Sequence, residues 1–380
     1  MGLAGIAEAG GPASAAPTSV TPYLITNDDL PPKIPTSGTF FTFAADGTPQ
    51  NPTRVTLGGV GSGGGYFASN RVSILNSSTQ QCAYLSLGGS GEIGAVDIQA
   101  LQDVGNFTAG TTDSGFDNGI GLANNGSYLY AAFSLSGTLA TFAIQPGCQL
   151  QYMSSMPAPG LHAGSVKGMA VHGNVIVLTY GDGSIQSFNI SAGAPVSNGD
   201  LQNATGYTSD NFPVGVDITQ DGHFAIFGDA SNTTTIEVSD ISSGKLTKTV
   251  LYNVGPAFNS NNVLLSPDET LLYIANTIYG RVSAAFFNKT TGKVTLGCTS
   301  GKLRGFDNTW AYLSSPVTEL ASGTGSVLYL SEFGTTAGIA VVNVTSSGGK
   351  CTLTEAATSP VIAPNTTTLL SIGVYPPRAF

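Results

Sequence analysis

Few side chains in this chain could do chemistry. Of 380 residues, 9% are charged and three are histidine. Glu332 is an acidic residue that no turn rule requires, and Asp117 is a second carboxylate ahead of an apolar strand. Either could act as general base on water, with His162 as acid or proton shuttle. Such roles need pKa values moved toward the working pH. Lys167, directly before Gly168-Met169, could polarise an oxygen as an electrophile or stand solvated. Asp29, Asp229, Asn276, Asp307 and Trp310 complete a set able to hold a ligand. Three uses of this set compete. The first is hydrolysis by activated water. The second is binding of a hard cation such as calcium, which carboxylates and loop carbonyls suit, although no contiguous Asp-x-Asp-x-Asp loop occurs. The third is a sugar or peptide platform of Trp310, Phe306 and Phe258 with asparagine side chains.

Each residue also has a structural use. His162 lies between Gly160 and Gly164, where a solvated loop histidine would sit, and His172 and His223 fall in turns. Asp182 and Asp221 precede glycine, as turn residues do. Trp310, the single tryptophan, could plug a gap between sheets.

The elements that must position these groups show as a repeat. A short apolar strand centred on Leu24, Tyr84, Tyr130, Val177, Ile226, Tyr273 and Tyr329 returns at intervals of 46 to 60 residues. A period on the scale of four short strands is the mark of a β-propeller blade. The clearest unit reads Asn262–Ser266, Leu271–Ala275, Arg281–Phe287 and Lys293–Gly297, with turns at Pro267-Asp268-Glu269-Thr270 and Asn288-Lys289-Thr290-Thr291-Gly292. At the N-terminus, Tyr23–Ile25, Thr39–Ala44 and Arg54–Leu57 read as a blade lacking its first strand. Thr368–Tyr375 reads as a first strand with nothing after it. Joined, they complete one sheet and remove the open edges of the array. The expectation is an all-β, seven-bladed propeller over residues 20–380, closed by pairing its two ends, with residues 1–19 as a flexible leader or signal remnant.

On this map the channel mouth is built from loops entering each inner strand and loops between second and third strands. The first group holds Asp117, His162, Phe212, Phe258, Asp307, Trp310 and Asn365. The second holds Asp29, Asp182, Asp229, Asn276 and Glu332.

Composition narrows the partners. The net charge is −10, with five arginines and eight lysines. That excludes the basic footprint nucleic acid needs and argues against a polyanionic substrate. No apolar run approaches the ~20 residues that span a bilayer. Fifty glycines, with Asn, Ser and Thr, suit many tight turns. Cys82, Cys148, Cys298 and Cys351 form no Cys-x-x-Cys pair. An even count permits disulfides outside the cytoplasm, but blades spread the four around a ring, so buried free thiols are at least as strong an expectation as bridges, and no pairing is indicated. Nine Asn-x-Ser/Thr sequons mark surface loops if the host glycosylates them.

The phrase Ser266-Pro267-Asp268-Glu269-Thr270-Leu271-Leu272-Tyr273-Ile274-Ala275-Asn276, followed by Asn288-Lys289-Thr290-Thr291-Gly292-Lys293-Val294-Thr295, resembles the lactonase family of seven-bladed propellers. That family includes 6-phosphogluconolactonase-like and carboxymuconate cyclase-like proteins. The segment Leu370-Ser371-Ile372-Gly373-Val374-Tyr375 is similar to closing strands of secreted bacterial members with no assigned reaction. The resemblance implies a small-molecule or carbohydrate ligand at the channel mouth, lactone hydrolysis as the reaction if there is one, no cofactor, and a secreted or periplasmic location. A non-catalytic extracellular binding or scaffold propeller is the alternative. The family's cyclases carry a catalytic histidine in a His-Gly-Met phrase. Here the phrase is Lys167-Gly168-Met169, and the cyclases' channel arginines have no evident match, so muconate cyclisation is not expected.

Overall fold

The computed structural model describes residues 21–30, 33–62, 70–109, 119–163, 165–204, 213–229, 235–255, 260–276, 279–305, 311–313, 318–319, 326–332, 338–363 and 371–377, with side chains left out at 213, 214, 229, 260, 261, 311–313, 318, 319 and 332. Seven antiparallel sheets follow one another around a ring: blade 1 joins the two ends, and the inner strands of blades 2 to 7 are Val72–Asn76, Ile120–Asn124, Val166–His172, Pro213–Ile218, Ser260–Leu265 and Ala311–Leu313. Blade 6 has strands Ser260–Leu265, Leu271–Asn276, Arg281–Asn288 and Lys293–Thr299, within two residues of the sequence reading at each end. The first sheet takes Tyr23–Asn27, Pro35–Phe43 and Pro49–Val60 from the N-terminal end and its inner strand, Ser371–Tyr375, from the C-terminal end. Leu24 faces Val374 and Asn27 faces Ser371 in that pairing, so the two ends close the ring as expected.

The apolar triplets have a simple cause. Successive strand residues point to opposite faces, and in a propeller both faces of a sheet meet a neighbouring sheet. The second strand of blade 3 shows this. Leu129 and Ala131 pack toward blade 2, while Tyr130 and Ala132 pack toward blade 4. A strand buried on both sides reads as a continuous apolar run. The core is therefore divided among the seven junctions, each with its own cluster of buried side chains.

Two devices lock particular junctions. Where the strand triplet carries tyrosine, its hydroxyl can reach the outer hairpin of the next blade. Tyr130 Oη donates to the Gly193 carbonyl at 2.9 Å, and Tyr329 Oη donates to Gly47 at 2.6 Å. The other device corrects the expectation for the cysteines: all four are paired. Cys82, on the second strand of blade 2, bonds Cys148, in the turn Pro146–Cys148 of blade 3. Cys298 on the outer strand of blade 6 bonds Cys351 on the outer strand of blade 7. The ring that spreads blades apart also presses neighbours face to face, with Cα–Cα distances of 5.6 and 5.7 Å at these contacts. At the Cys82–Cys148 junction the fully buried Tyr84 hydroxyl has no hydrogen-bond partner.

A buried hydroxyl with a partner contributes about 1 kcal/mol, whereas one without a partner carries a desolvation cost. Tyr130→Phe should therefore lower stability to guanidinium by about 1 kcal/mol and Tyr84→Phe should be neutral or stabilising. Cys82→Ser with Cys148→Ser should cost about 2–4 kcal/mol. Equal losses for both tyrosines would contradict this assignment.

Candidate functional site at the channel mouth

Strand register defines one rim of the ring. The first residue of an inner strand lies opposite the last residue of the second strand: Ser371 opposite Asn27, Val166 opposite Tyr180, Pro213 opposite Asp229, Ser260 opposite Asn276, and Ala311 opposite Glu332. Asp229, Asn276 and Glu332 thus hold one equivalent position in blades 5, 6 and 7, and Asn27 holds it in blade 1. The side chains of Asp229 and Glu332 are not among those described. Asp117, Asp307 and Trp310, together with Phe212, Phe258, Phe306 and Asn365, lie outside the described residues.

Asn276 is fully buried. Its Nδ2 donates to Ser283 Oγ at 2.9 Å in its own blade, while its Oδ1 has no hydrogen-bond partner. Asp29 is committed to the fold. Both it and Arg71 are 1% exposed, and Arg71 Nη1 donates to Asp29 Oδ2 at 2.5 Å. Ser62 donates from its backbone N to Asp29 Oδ1 at 2.8 Å and adds its hydroxyl. Arg71 N donates to Ser371 Oγ at 3.1 Å, and Asn27 Nδ2 donates to the Ser86 carbonyl at 2.9 Å. Beside this pair, buried Asp28 takes hydroxyl hydrogens from Thr26, Ser37 and Thr39. Burial still raises its pKa. This network joins blades 1 and 2 where the chain ends meet. Arg71 was not among the residues nominated from sequence. A lone arginine directly before an apolar inner strand, in a chain with five arginines, was the available signal.

Blade 4 gathers the remaining nominated groups. The turn holding His162 leans on the turn holding Asp182. His162 N donates to Asp182 Oδ2 at 2.7 Å, Ser184 Oγ donates to Asp182 Oδ1 at 2.5 Å, and Leu161 N donates to Ser184 Oγ at 3.0 Å. His162 itself is exposed. Lys167 lies just inside, at the bulged start of the inner strand Val166–His172, and is 5% exposed. Its stem crosses Gly181, where a Cβ would stand 2.6 Å from Lys167 Cε, so a larger residue there would push the end of the lysine aside. Burial disfavours the ammonium and brings its pKa down to about 8. His162 and Lys167 therefore share a blade, while Glu332 stands three blades away across the mouth. His172 and His223 lie at the opposite ends of the strands, in the first turns of blades 4 and 5. Among the described residues no group of three metal-ligating side chains occurs, and no helix is long and apolar enough to cross a membrane.

Removing one member of a buried ion pair strands the other. Arg71→Met should cost about 3–5 kcal/mol in guanidinium unfolding, with part of the loss recovered when Asp29→Leu is added. Lys167 has a folded pKa below its unfolded value, so the unfolded chain binds more protons between pH 8 and 10.5 and stability rises with pH in that window. Lys167→Met should stabilise the protein at pH 7 by up to about 3 kcal/mol, and that advantage should fade as pH approaches 10.5. A pH-independent difference would contradict the burial of the charge.

Comparison with known proteins agrees with the architecture. The chain matches the lactonase family, described as a seven-bladed β-propeller, over residues 100–369. No curated protein matches it. A candidate 6-phosphogluconolactonase from Bacteroides fragilis superposes with a TM-score of 0.67 at 14% identity, covering 95% of this chain and 99% of that one. The periplasmic gluconolactonase of Pseudomonas aeruginosa gives 0.68 at 11% identity, covering 93% and 99%. The hydrazine synthase of Kuenenia stuttgartiensis gives 0.55 at 13%, covering 92% and 99%. At such identities these likenesses speak to the fold alone. The family match spans well over half of the chain and falls on blades that the register had already defined, and on that ground the protein belongs to the lactonase family of seven-bladed β-propellers.

Proposed function

We propose that this protein is an exported lactone hydrolase acting at the channel mouth, with Lys167 polarising the lactone carbonyl. One observation carries the reading: a lysine on the rim is 5% exposed, with its amine lowered to about 8 by burial. A desolvated, fixed donor stabilises a developing oxyanion far better than a hydrated one. Water adds to the carbonyl carbon and loses its proton to a carboxylate, Glu332 or Asp117. The tetrahedral intermediate collapses, the ring C–O bond breaks, and the ring oxygen takes a proton delivered by His162, giving an open hydroxy acid. Asp229, Asn276, Asp307 and Trp310 are proposed to hold the ligand around this centre. The rim arginine Arg71 is ion-paired with Asp29, which favours an uncharged lactone over a phosphorylated one. Export is supported by the two disulfides, which persist in oxidising compartments.

The test is turnover of a panel of unphosphorylated lactones, with spontaneous hydrolysis subtracted. Only the charged amine polarises the carbonyl, so the wild-type rate should fall as pH rises through about 8. Lys167→Met should lose about 10²–10³-fold in kcat together with that inflection. A wild-type rate at buffer background across the panel would retire catalysis and leave a binding propeller.

A further inference from the structure

We propose that the central channel below the mouth is itself a subsite, one that takes an alkyl chain or small apolar ring. Combined with the hydrolase reading, on which this part rests, the substrate is a lactone bearing an aliphatic substituent that descends the channel. A cavity of about 200 Å³ runs along the inner strands of blades 1 to 6, from Asn70 near the rim to Pro377 beyond the closing strand. Val72, Ile74, Ala123, Ala170 and Leu264 line it and are partly exposed there. On the side of blade 1 the wall residue is Gly373. A Cβ there would meet Ile74 Cδ1 at 2.7 Å and Val72 Cγ1 at 3.0 Å, so its absence lets blade 2 fold an aliphatic surface over the closing strand.

The polar side chains of the wall are hydrogen-bonded within the protein, Asn70, Asn124 and Asp217 to other blades and Asn262 within its own strand. Asn70 Nδ2 donates to the Met169 carbonyl at 2.7 Å, and Asn124 Nδ2 donates to Ser73 Oγ at 2.8 Å and the Ile74 carbonyl at 3.1 Å. Asp217, the one carboxylate among the described residues that line the cavity, accepts from Ile218 N and Leu265 N, each at 2.8 Å. Asn262 Oδ1 accepts from Val263 N at 2.9 Å. A sugar ring placed here would bury hydroxyls against groups already bonded, at a cost of roughly 1–3 kcal/mol each. An aliphatic group brings no polar atoms of its own to bury. Size agrees: an aliphatic cavity of about 150 Å³ holds benzene, whereas drug-sized ligands need about 300 Å³ or more.

Calorimetric titration of the full chain tests this with two homologous series, n-alcohols from butanol to octanol and γ-lactones from butyrolactone to nonalactone. Binding should tighten about fourfold per added methylene until the cavity fills. Ala123→Leu and Ala170→Leu should abolish that dependence, and Leu264→Ala should move the plateau to longer chains. If the two leucine variants fail to fold, the plateau shift in Leu264→Ala carries the test. Chain-length-independent binding in the wild type, or an unmoved plateau in Leu264→Ala, would overturn the proposal. Alcohols that bind with the expected dependence while no lactone is hydrolysed would uphold the channel subsite and remove the catalytic reading. Lactones hydrolysed at chain-independent rates, with alcohols unbound, would do the reverse.

Discussion

Every sheet in this ring is sandwiched between two others, and the rest of the structure depends on that double burial. A single blade would expose two apolar faces. An open array would expose one at each end, together with unpaired strand edges. Closure covers both at once. The strand that achieves it, Ser371–Tyr375, places Ile372 and Val374 against blade 7 and Tyr375 against blade 2. One short segment therefore serves two junctions and completes a four-stranded sheet. The polar network of Asp29, Arg71, Ser62 and Ser371 gathers at the same place. It ties the closing strand to the entry of blade 2.

The same geometry sets the terms for chemistry. A rigid ring presents equivalent rim positions at fixed angular intervals, so groups on one blade can touch directly, while groups on distant blades meet only through a ligand. His162 and Asp182 belong to the first kind, Lys167 lies on the same blade, and Glu332 stands to them in the second relation. Burial of the Lys167 stem against Gly181 gives an otherwise commonplace side chain an altered proton affinity. Below the rim the described channel wall is mostly aliphatic, and Asn70, Asn124 and Asp217 among its polar side chains tie one blade to another.

The fold was legible because double burial writes itself into the sequence as uninterrupted apolar triplets, and because the incomplete blade at one end matches the surplus strand at the other. Turn residues such as Asn288 and Asp221, whose carbonyl-bearing side chains accept from the backbone two residues on, were equally readable. The disulfides were not. Cys82 lies on a strand and Cys148 in a turn of the next blade, and their meeting depends on how two sheets face each other rather than on spacing. The site was legible only as a list. Asn276 and Asp29 lie at the second-strand ends where the repeat puts them, but burial, which turns the one inward to Ser283 and pairs the other with Arg71, leaves no trace in local sequence. Arg71 was passed over because it stands outside any turn or motif.

Ring closure is the claim on which the channel, the rim and every nominated residue rest, and truncation tests it most directly. Guanidinium unfolding of the chain ending at residue 370 can be followed by tyrosine fluorescence and near-ultraviolet circular dichroism. Loss of the cooperative transition is expected, with partial recovery on adding a peptide of residues 371–377. A truncated chain that unfolds at the wild-type midpoint, indifferent to the peptide, would contradict it.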